Sequence, residues 1–122
     1  MLMMTALEFF ERARWGNSPS CPRCAEENVK RLGGDAGQRG LWKCYGCLAL
    51  YTVRTGTIME GSRIDFETWR FVLVGRWHEG TALHCSREVG LSYKSTWAML
   101  HVIRGALAQG EPWLKSLMDQ SS

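Results

Sequence analysis

The apolar and polar positions of this 122-residue chain fall into two halves of different character, with Gly56 and Gly61 marking a linker, Thr55 to Ser62, between them. In the first half, Thr5-Ala6-Leu7-Glu8 matches a capping box, in which the Thr5 hydroxyl and the Glu8 carboxylate satisfy reciprocal backbone donors. A short helix is expected to about Arg14, with Leu7, Phe10 and the neighbouring Trp15 laid against the segment that follows. Gly16-Asn17-Ser18-Pro19 breaks it. Short strand patterns come next, at Glu27 to Arg31 and Gly40 to Lys43, joined by a turn at Gly33-Gly34-Asp35-Ala36-Gly37. A third, Leu48 to Arg54, is rich in strand formers.

The second half changes to a helical period. Asp65 caps a helix from Phe66 to about His78, with Phe66, Trp69, Leu73 and Trp77 at i, i+3, i+7 and i+11 forming one buried stripe, and Glu79-Gly80 ends it. Thr81 caps a second helix, Ala82 to Val89, stopped by Gly90. Ser92 caps a third, Tyr93 to about Ala108, ended by Gln109-Gly110. A short helix, a turn with Gly followed by an apolar residue, and a Ser-capped longer helix form the pattern of a helix-turn-helix. In that register Cys85, Val89, Leu91, Thr96, Met99 and Ile103 face the core, and Ser92, Tyr93, Lys94, Trp97, Ala98 and His101 face a DNA groove. For Trp97 core packing is the commoner fate, because an exposed indole is rare. The residues 111–118 read as a short amphipathic helix that caps the core or joins a dimer interface.

Composition narrows the class. Net charge is only +3, and the chain has no apolar run near the roughly 20 residues of a membrane helix, so a soluble, cytoplasmic protein without a membrane partner is expected. The positive bias is modest: Cys21 to Arg54 holds six Lys/Arg against three acids, and Arg63 to Arg104 six against four. That suits phosphate contacts and by itself supports nucleic-acid binding only weakly. Six tryptophans are read mainly as bulk for small cores.

The chemistry lies in the cysteines. Cys21-Pro22-Arg23-Cys24 and Cys44-Tyr45-Gly46-Cys47 are two Cys-x-x-Cys turns nineteen residues apart. Each turn converges two thiolates on one ion, and together they complete a tetrahedron with Zn–S bonds of about 2.3 Å. Such a closed site has no position for a catalytic water, so the metal is structural; a single iron uses the same four sulfurs. Disulfides fit less well, because Cys85 would be left over and the amino terminus has no signal-peptide pattern. A thioredoxin-like reading lacks its βαβ context. His78, His84, His101 and Cys85 read as packing or surface residues, and Asp65, Glu67, Glu79 and Glu88 form no catalytic pair.

The order of motifs resembles the N-terminal zinc-ribbon and helix-turn-helix region of bacterial insertion-sequence transposases of the DDE type. The resemblance rests on Arg14-Trp15 before the first pair, Trp42-Lys43-Cys44-Tyr45-Gly46-Cys47, the Arg54-Thr55-Gly56-Thr57 element, and Lys94-Ser95-Thr96-Trp97-Ala98-Met99-Leu100-His101. Ala98 and Val102 stand where the family commonly has Arg, and Ala25 stands where it often has Gly. Family members continue into an RNase H-like domain whose carboxylates bind two metal ions, and Ser122 falls where that domain would start.

The resulting expectation is an α+β protein: a leading helix (1–20), a zinc ribbon of short antiparallel strands (21–62), a three-helix helix-turn-helix unit (63–110) and a tail (111–122). Cys21, Cys24, Cys44 and Cys47 hold zinc. Duplex DNA is contacted by Ser92, Tyr93, Lys94, Ser95, Trp97, Ala98, His101 and Arg104, with Arg23, Lys43 and Arg54 of the ribbon adding phosphate contacts. The function expected is a stand-alone, non-catalytic DNA-binding regulator or competitor of transposition or transcription. The competing expectation is a zinc-ribbon interaction module, a phage or host adaptor, with the helix-turn-helix as scaffold; a homodimer or a protein partner is open in either case.

Overall fold

Local capping sets most of the helix starts in the computed structural model, which describes residues 4–35 and 40–120. Helix α1 spans Ala6–Trp15, with the Thr5 hydroxyl accepting from Glu8 N at 3.1 Å. Its inner face buries Ala6, Phe10 and the carboxyl-bearing side chain of Glu11. Glu11 is not stranded there: it pairs with Arg31 and accepts from Trp42 Nε1 at 2.9 Å. A carboxylate with both oxygens engaged can be buried where an unpaired one could not.

Three short strands follow, β1 Val29–Arg31, β2 Trp42–Cys44 and β3 Leu50–Tyr51, antiparallel and in the order β1-β2-β3. The register sets Val29 opposite Cys44 and Trp42 opposite both Arg31 and Tyr51. Trp15 meets the edges of Trp42 and Tyr51, with ring centroids 5.6 and 5.8 Å away, and so ties α1 to the sheet. The architecture is the expected α+β arrangement of a small antiparallel sheet and helices, with strands shorter than their sequence patterns. Ala36 and Gly37 of the anticipated turn lie outside the described residues.

The segment expected to be a linker is instead a run of turns stitched by threonines. Thr55 Oγ1 accepts from Thr52 N, Thr52 Oγ1 from Arg54 N, and Thr57 Oγ1 from Met59 N, each at 3.1 Å. Thr57 also donates to Arg54 O at 2.7 Å. Val53 and Met59 are fully buried, and Arg14 donates to Val53 O at 2.8 Å. These hydroxyls give the backbone partners that a strand ladder would have supplied, which is why the third strand stops at Tyr51. This first compact unit comprises residues 1–62 and the second 63–122.

In the second unit α2 spans Phe66–Val74, capped by Asp65, whose carboxylate accepts from Thr68 N at 2.8 Å. It does not reach His78. Gly75 ends it, donating to Phe71 O, and the chain reverses through Arg76 in the left-handed region before a 3-10 turn at Trp77–Glu79. A Cβ on Gly75 would lie 2.7 Å from Trp77 Nε1 and 2.9 Å from Phe71 O, so the reversal has room for no side chain there. Trp77 therefore leaves the anticipated stripe and stacks on the exposed ring of Phe71.

Helices α3 (Ala82–Val89) and α4 (Tyr93–Ala108) flank a turn in which Gly90 adopts φ 76°. Thr81 accepts from His84 N at 3.2 Å and Ser92 from Ser95 N at 3.1 Å. Cys85, Thr96, Met99 and Ile103 are buried as expected, whereas Val89 and Leu91 are only partly covered and Leu100 joins the core in their place. Helix α5, Pro112–Gln120, packs on α2 and α4 through the buried Leu114, Leu117 and Met118. Helix α5 is the amphipathic helix anticipated over residues 111–118, packed here on the core of the unit. Ser92→Ala should lower the stability of this unit by about 0.5–2 kcal/mol while Ser92→Thr costs less, read by urea denaturation; an unchanged midpoint would show that the cap contributes nothing.

Candidate metal centre and the outer face of the helix pair

Each Cys-x-x-Cys forms the same kind of turn. In the first, Ala25 N donates back to Cys21 O at 2.9 Å and Cys21 N donates to Glu26 O at 3.0 Å. In the second, Cys44 N donates to Ala49 O at 3.0 Å, and Tyr45 N donates across to Asn28 O at 2.9 Å. The residue after each second cysteine, Ala25 or Leu48, sits at φ 64° or 65°, in the left-handed region. The turn needs that conformation to fold back on its own thiols, and a non-glycine residue there costs on the order of 1–2 kcal/mol.

The four sulfurs fit one ion. All lie within 4.8 Å of one another, with Cys21 Sγ 3.7 Å from Cys47 Sγ and Cys24 Sγ 3.6 Å from Cys44 Sγ. A tetrahedron of 2.3 Å bonds has edges of about 3.8 Å. Backbone amides aim at the ligands as they do at anionic sulfur: Arg23 N reaches Cys21 Sγ at 3.3 Å, and Gly46 N and Cys47 N reach Cys44 Sγ at 3.3 and 3.4 Å. Cys21 and Cys44 are buried against Tyr51, Trp15, Val29 and Trp42, while Cys24 and Cys47 face solvent.

The thiols do not ionise alike. Burial pushes Cys21 up, but the amides of Cys24 and Arg23 and the neighbouring thiols outweigh it and bring it down to about 7. At Cys24 the Glu26 amide lowers the pKa, yet the thiols of Cys44, Cys47 and Cys21 together with burial push it up to about 12. The Cys21 thiolate forms readily, whereas that of Cys24 forms only with a cation to neutralise it. Metal binding therefore releases protons and weakens as the pH falls. With four thiolates as ligands the ion holds turns together and has no coordination position for substrate.

The residues assigned to DNA from the sequence divide between the two units. On α4, Ser92, Tyr93, Lys94, Ser95, Trp97, Ala98 and His101 are all exposed. Trp97 is 48 % exposed, contrary to the core packing usual for an indole. It lies flat against His101, with centroids 5.0 Å apart and planes 6° from parallel, so the two rings form one plate beside the exposed Tyr93. Arg104 is committed elsewhere: Nε donates to His78 O at 2.8 Å and a terminal nitrogen to Gly80 O at 2.9 Å. In the first unit Arg23 is exposed, Lys43 lies over the Tyr45 ring at 5.6 Å, and Arg54 donates to Ser62 O at 3.3 Å.

Two features carried no signal in the sequence. Phe71, Trp77 and His84 form a ring cluster on the second unit, with Trp77 5.6 Å from Phe71 and 5.1 Å from His84. Arg76, His78 and Lys115 line one cleft although thirty-nine positions separate the first from the last. Both depend on the reversal at Gly75, which periodicity read as mid-helix.

Residues 4–49 match the transposase zinc-ribbon domain of the IS1595 family. Over 112 residues the chain is 28 % identical to an uncharacterized protein in transposable element ISH50 of Halobacterium salinarum, covering 90 % of this chain and 37 % of that relative. The chain thus spans little more than a third of the length of that relative. No solved structure matches. The first unit carries a transposase-related zinc ribbon, and its four thiolates form a structural zinc site.

Proposed function

We propose that the chain is a DNA-binding module of transposase descent that reads duplex DNA with α3 and α4 as a helix-turn-helix, the zinc ribbon adding phosphate contacts. The observation that carries this reading is the outer face of α4. Its first three turns present Tyr93, Lys94, Trp97, Ala98 and His101 to solvent while Thr96, Met99, Leu100 and Ile103 anchor the opposite face. A recognition helix needs that division, with its amino-terminal side chains free to meet base edges. Lys94 supplies a phosphate or guanine contact, and the Trp97–His101 plate and Tyr93 supply apolar surface for a thymine methyl. Arg23 and Lys43 extend the contacts from the ribbon. No residue is assigned a catalytic role, and the module acts as a regulator or as the end-recognition part of a transposition system.

Selection from a random duplex pool with zinc-loaded protein at physiological salt tests this, with a chelated control. One enriched motif that is lost on chelation is the expected result, and its symmetry reports whether the protein binds as a dimer. Lys94→Ala should weaken binding to the selected duplex and make the log–log salt dependence shallower by about 1 if Lys94 meets a phosphate. Unchanged affinity would remove α4 from the interface.

A second reading is favoured by a different surface. Phe71, Val74 and Leu83 are exposed on the second unit near Trp77, and such apolar patches mark protein partners. Under that reading the chain is an interaction module, no duplex is enriched, and partner binding depends weakly on salt.

A further inference from the structure

The reversal after α2 creates a cleft of about 270 Å³ between the 3-10 turn and α5, lined by Arg76, His78, Glu79, Leu107, Lys115 and Met118. Its charge is not internally balanced. Among the described residues Glu79 is the one carboxylate lining it, and no ion pair joins Glu79 to Arg76 or Lys115. Outside that lining, Arg104 bonds the backbone at His78 O and Gly80 O and adds positive field at the imidazole. His78 Nδ1 is buried without a hydrogen-bond partner among the described residues. Closed off as it stands, that nitrogen can be satisfied only if the ring turns toward an occupant of the cleft, and such an occupant would relieve the cost of leaving it unpaired.

The backbone points the same way. Arg76 sits at φ 55°, a conformation that glycine adopts freely and that other residues adopt only at a cost. A position where glycine would be cheaper holds the guanidinium that lines the cleft. Burial pulls the His78 ring below its ordinary pKa, with Arg76 and Arg104 adding to that pull and Glu79 opposing it. The ring is therefore neutral at pH 7 and presents one N–H donor. Guanidinium, ammonium and imidazole together offer more donors than a carboxylate's two oxygens use, and Leu107 with Met118 supplies apolar lining that sharpens their field.

We propose that this cleft binds a phosphate group, with Arg76, Lys115 and His78 as its donors. The site stands independently of the recognition-helix reading, because inorganic phosphate tests it without DNA. Its natural occupant is either the phosphodiester of a nucleic-acid backbone or a free phosphate or phosphomonoester, and the shared chemistry is the anionic oxygen set.

The test is carbon-detected or proton NMR of the histidine rings in the zinc-loaded protein, titrated with inorganic phosphate against chloride at constant ionic strength. The expected result is a saturable shift of His78 with a rise in its pKa, without a matching change at His84 or His101. Arg76→Gln and Lys115→Gln should each weaken phosphate roughly tenfold or more, as loss of a charge-assisted hydrogen bond implies, while Glu79→Gln tightens it. Lys115 is exposed and Arg76 half-buried, so amide spectra of both variants should report an intact fold. No saturable shift at His78, or an equal shift in the two cation variants, overturns the proposal. A second arm identifies the source: if the salt dependence of duplex binding becomes shallower by about 1 in Arg76→Gln or Lys115→Gln, the occupant is backbone phosphate. An unchanged slope with phosphate saturation intact assigns the cleft to a free phosphate or phosphomonoester.

Discussion

Replacing Cys44 by serine is expected to unfold the first unit. Cys44 is fully buried, sits on the central strand, faces Val29 across the sheet and accepts two backbone amides at its sulfur. Serine preserves the size of the side chain but supplies no thiolate at neutral pH. The magnitude decides the outcome. A unit of 62 residues has a total stability of roughly 3–9 kcal/mol at 0.05–0.15 kcal/mol per residue, and structural zinc contributes about 10–16 kcal/mol in small domains. The apolar core under the sheet, with Phe10, Tyr51, Val53 and Met59 as its largest fully buried members, is too small to make up that difference. Amide NMR of Cys44→Ser, and of the wild-type protein with chelator, should lose the dispersed signals of α1 and the three strands. Retention of those signals in metal-free protein would show that the ribbon folds on packing alone.

Trp69→Ala is expected to remove most of the stability of the second unit. Its indole is 2 % exposed on α2 and belongs to the core with Val72, Leu73, Leu100, Ile103, Leu114 and Leu117. Truncating a buried aromatic costs about 3–5 kcal/mol, comparable to the whole stability of a unit this size. Helix α5 should be lost with it, because that helix holds its place through Leu114 and Leu117 against the same core. Trp97→Ala provides the contrast: the same residue type, half exposed, should move the denaturation midpoint by no more than about 0.5 kcal/mol. Urea unfolding followed by helical circular dichroism separates the two. Equal losses in both variants would mean that Trp97 is packed after all.

What the sequence made legible is local chemistry. Four sulfurs at that spacing leave one common arrangement, so the metal centre could be read without any knowledge of the strands. The starts of α2, α3 and α4 were equally readable, because a cap is an affair of four residues: Asp65 with Thr68, Thr81 with His84, Ser92 with Ser95. Tertiary choices were not readable. Gly75 sat inside a continuous apolar period, and only the close approach of Trp77 shows why no side chain fits there. Trp97 looked like a core residue because indoles usually are, whereas its partner is His101 on the same helix and not the interior. Glycines at 56 and 61 suggested a linker, and the threonines between Thr52 and Thr57 turned that stretch into a bonded knot around Met59.

The succession of ligands along the chain also sets an order in time. During synthesis Cys24, the second ligand of the first pair, leaves the ribosome ahead of Cys44 by the nineteen intervening residues and one more, a delay of about 1–4 s at roughly 5–20 residues per second. Through that interval the nascent chain carries a half-site: two thiols on one turn, with no sheet yet to shelter the inner one. Two sulfurs hold zinc far more loosely than four, and they remain open to oxidants and to other thiols. The arrival of Cys44 and Cys47 closes the coordination shell and, by pairing the strands, buries Cys21 and Cys44 together. The exposed lifetime of the first pair is therefore set by the pace of translation between residues 24 and 47, after which the inner sulfurs of Cys21 and Cys44 are shut away from solvent.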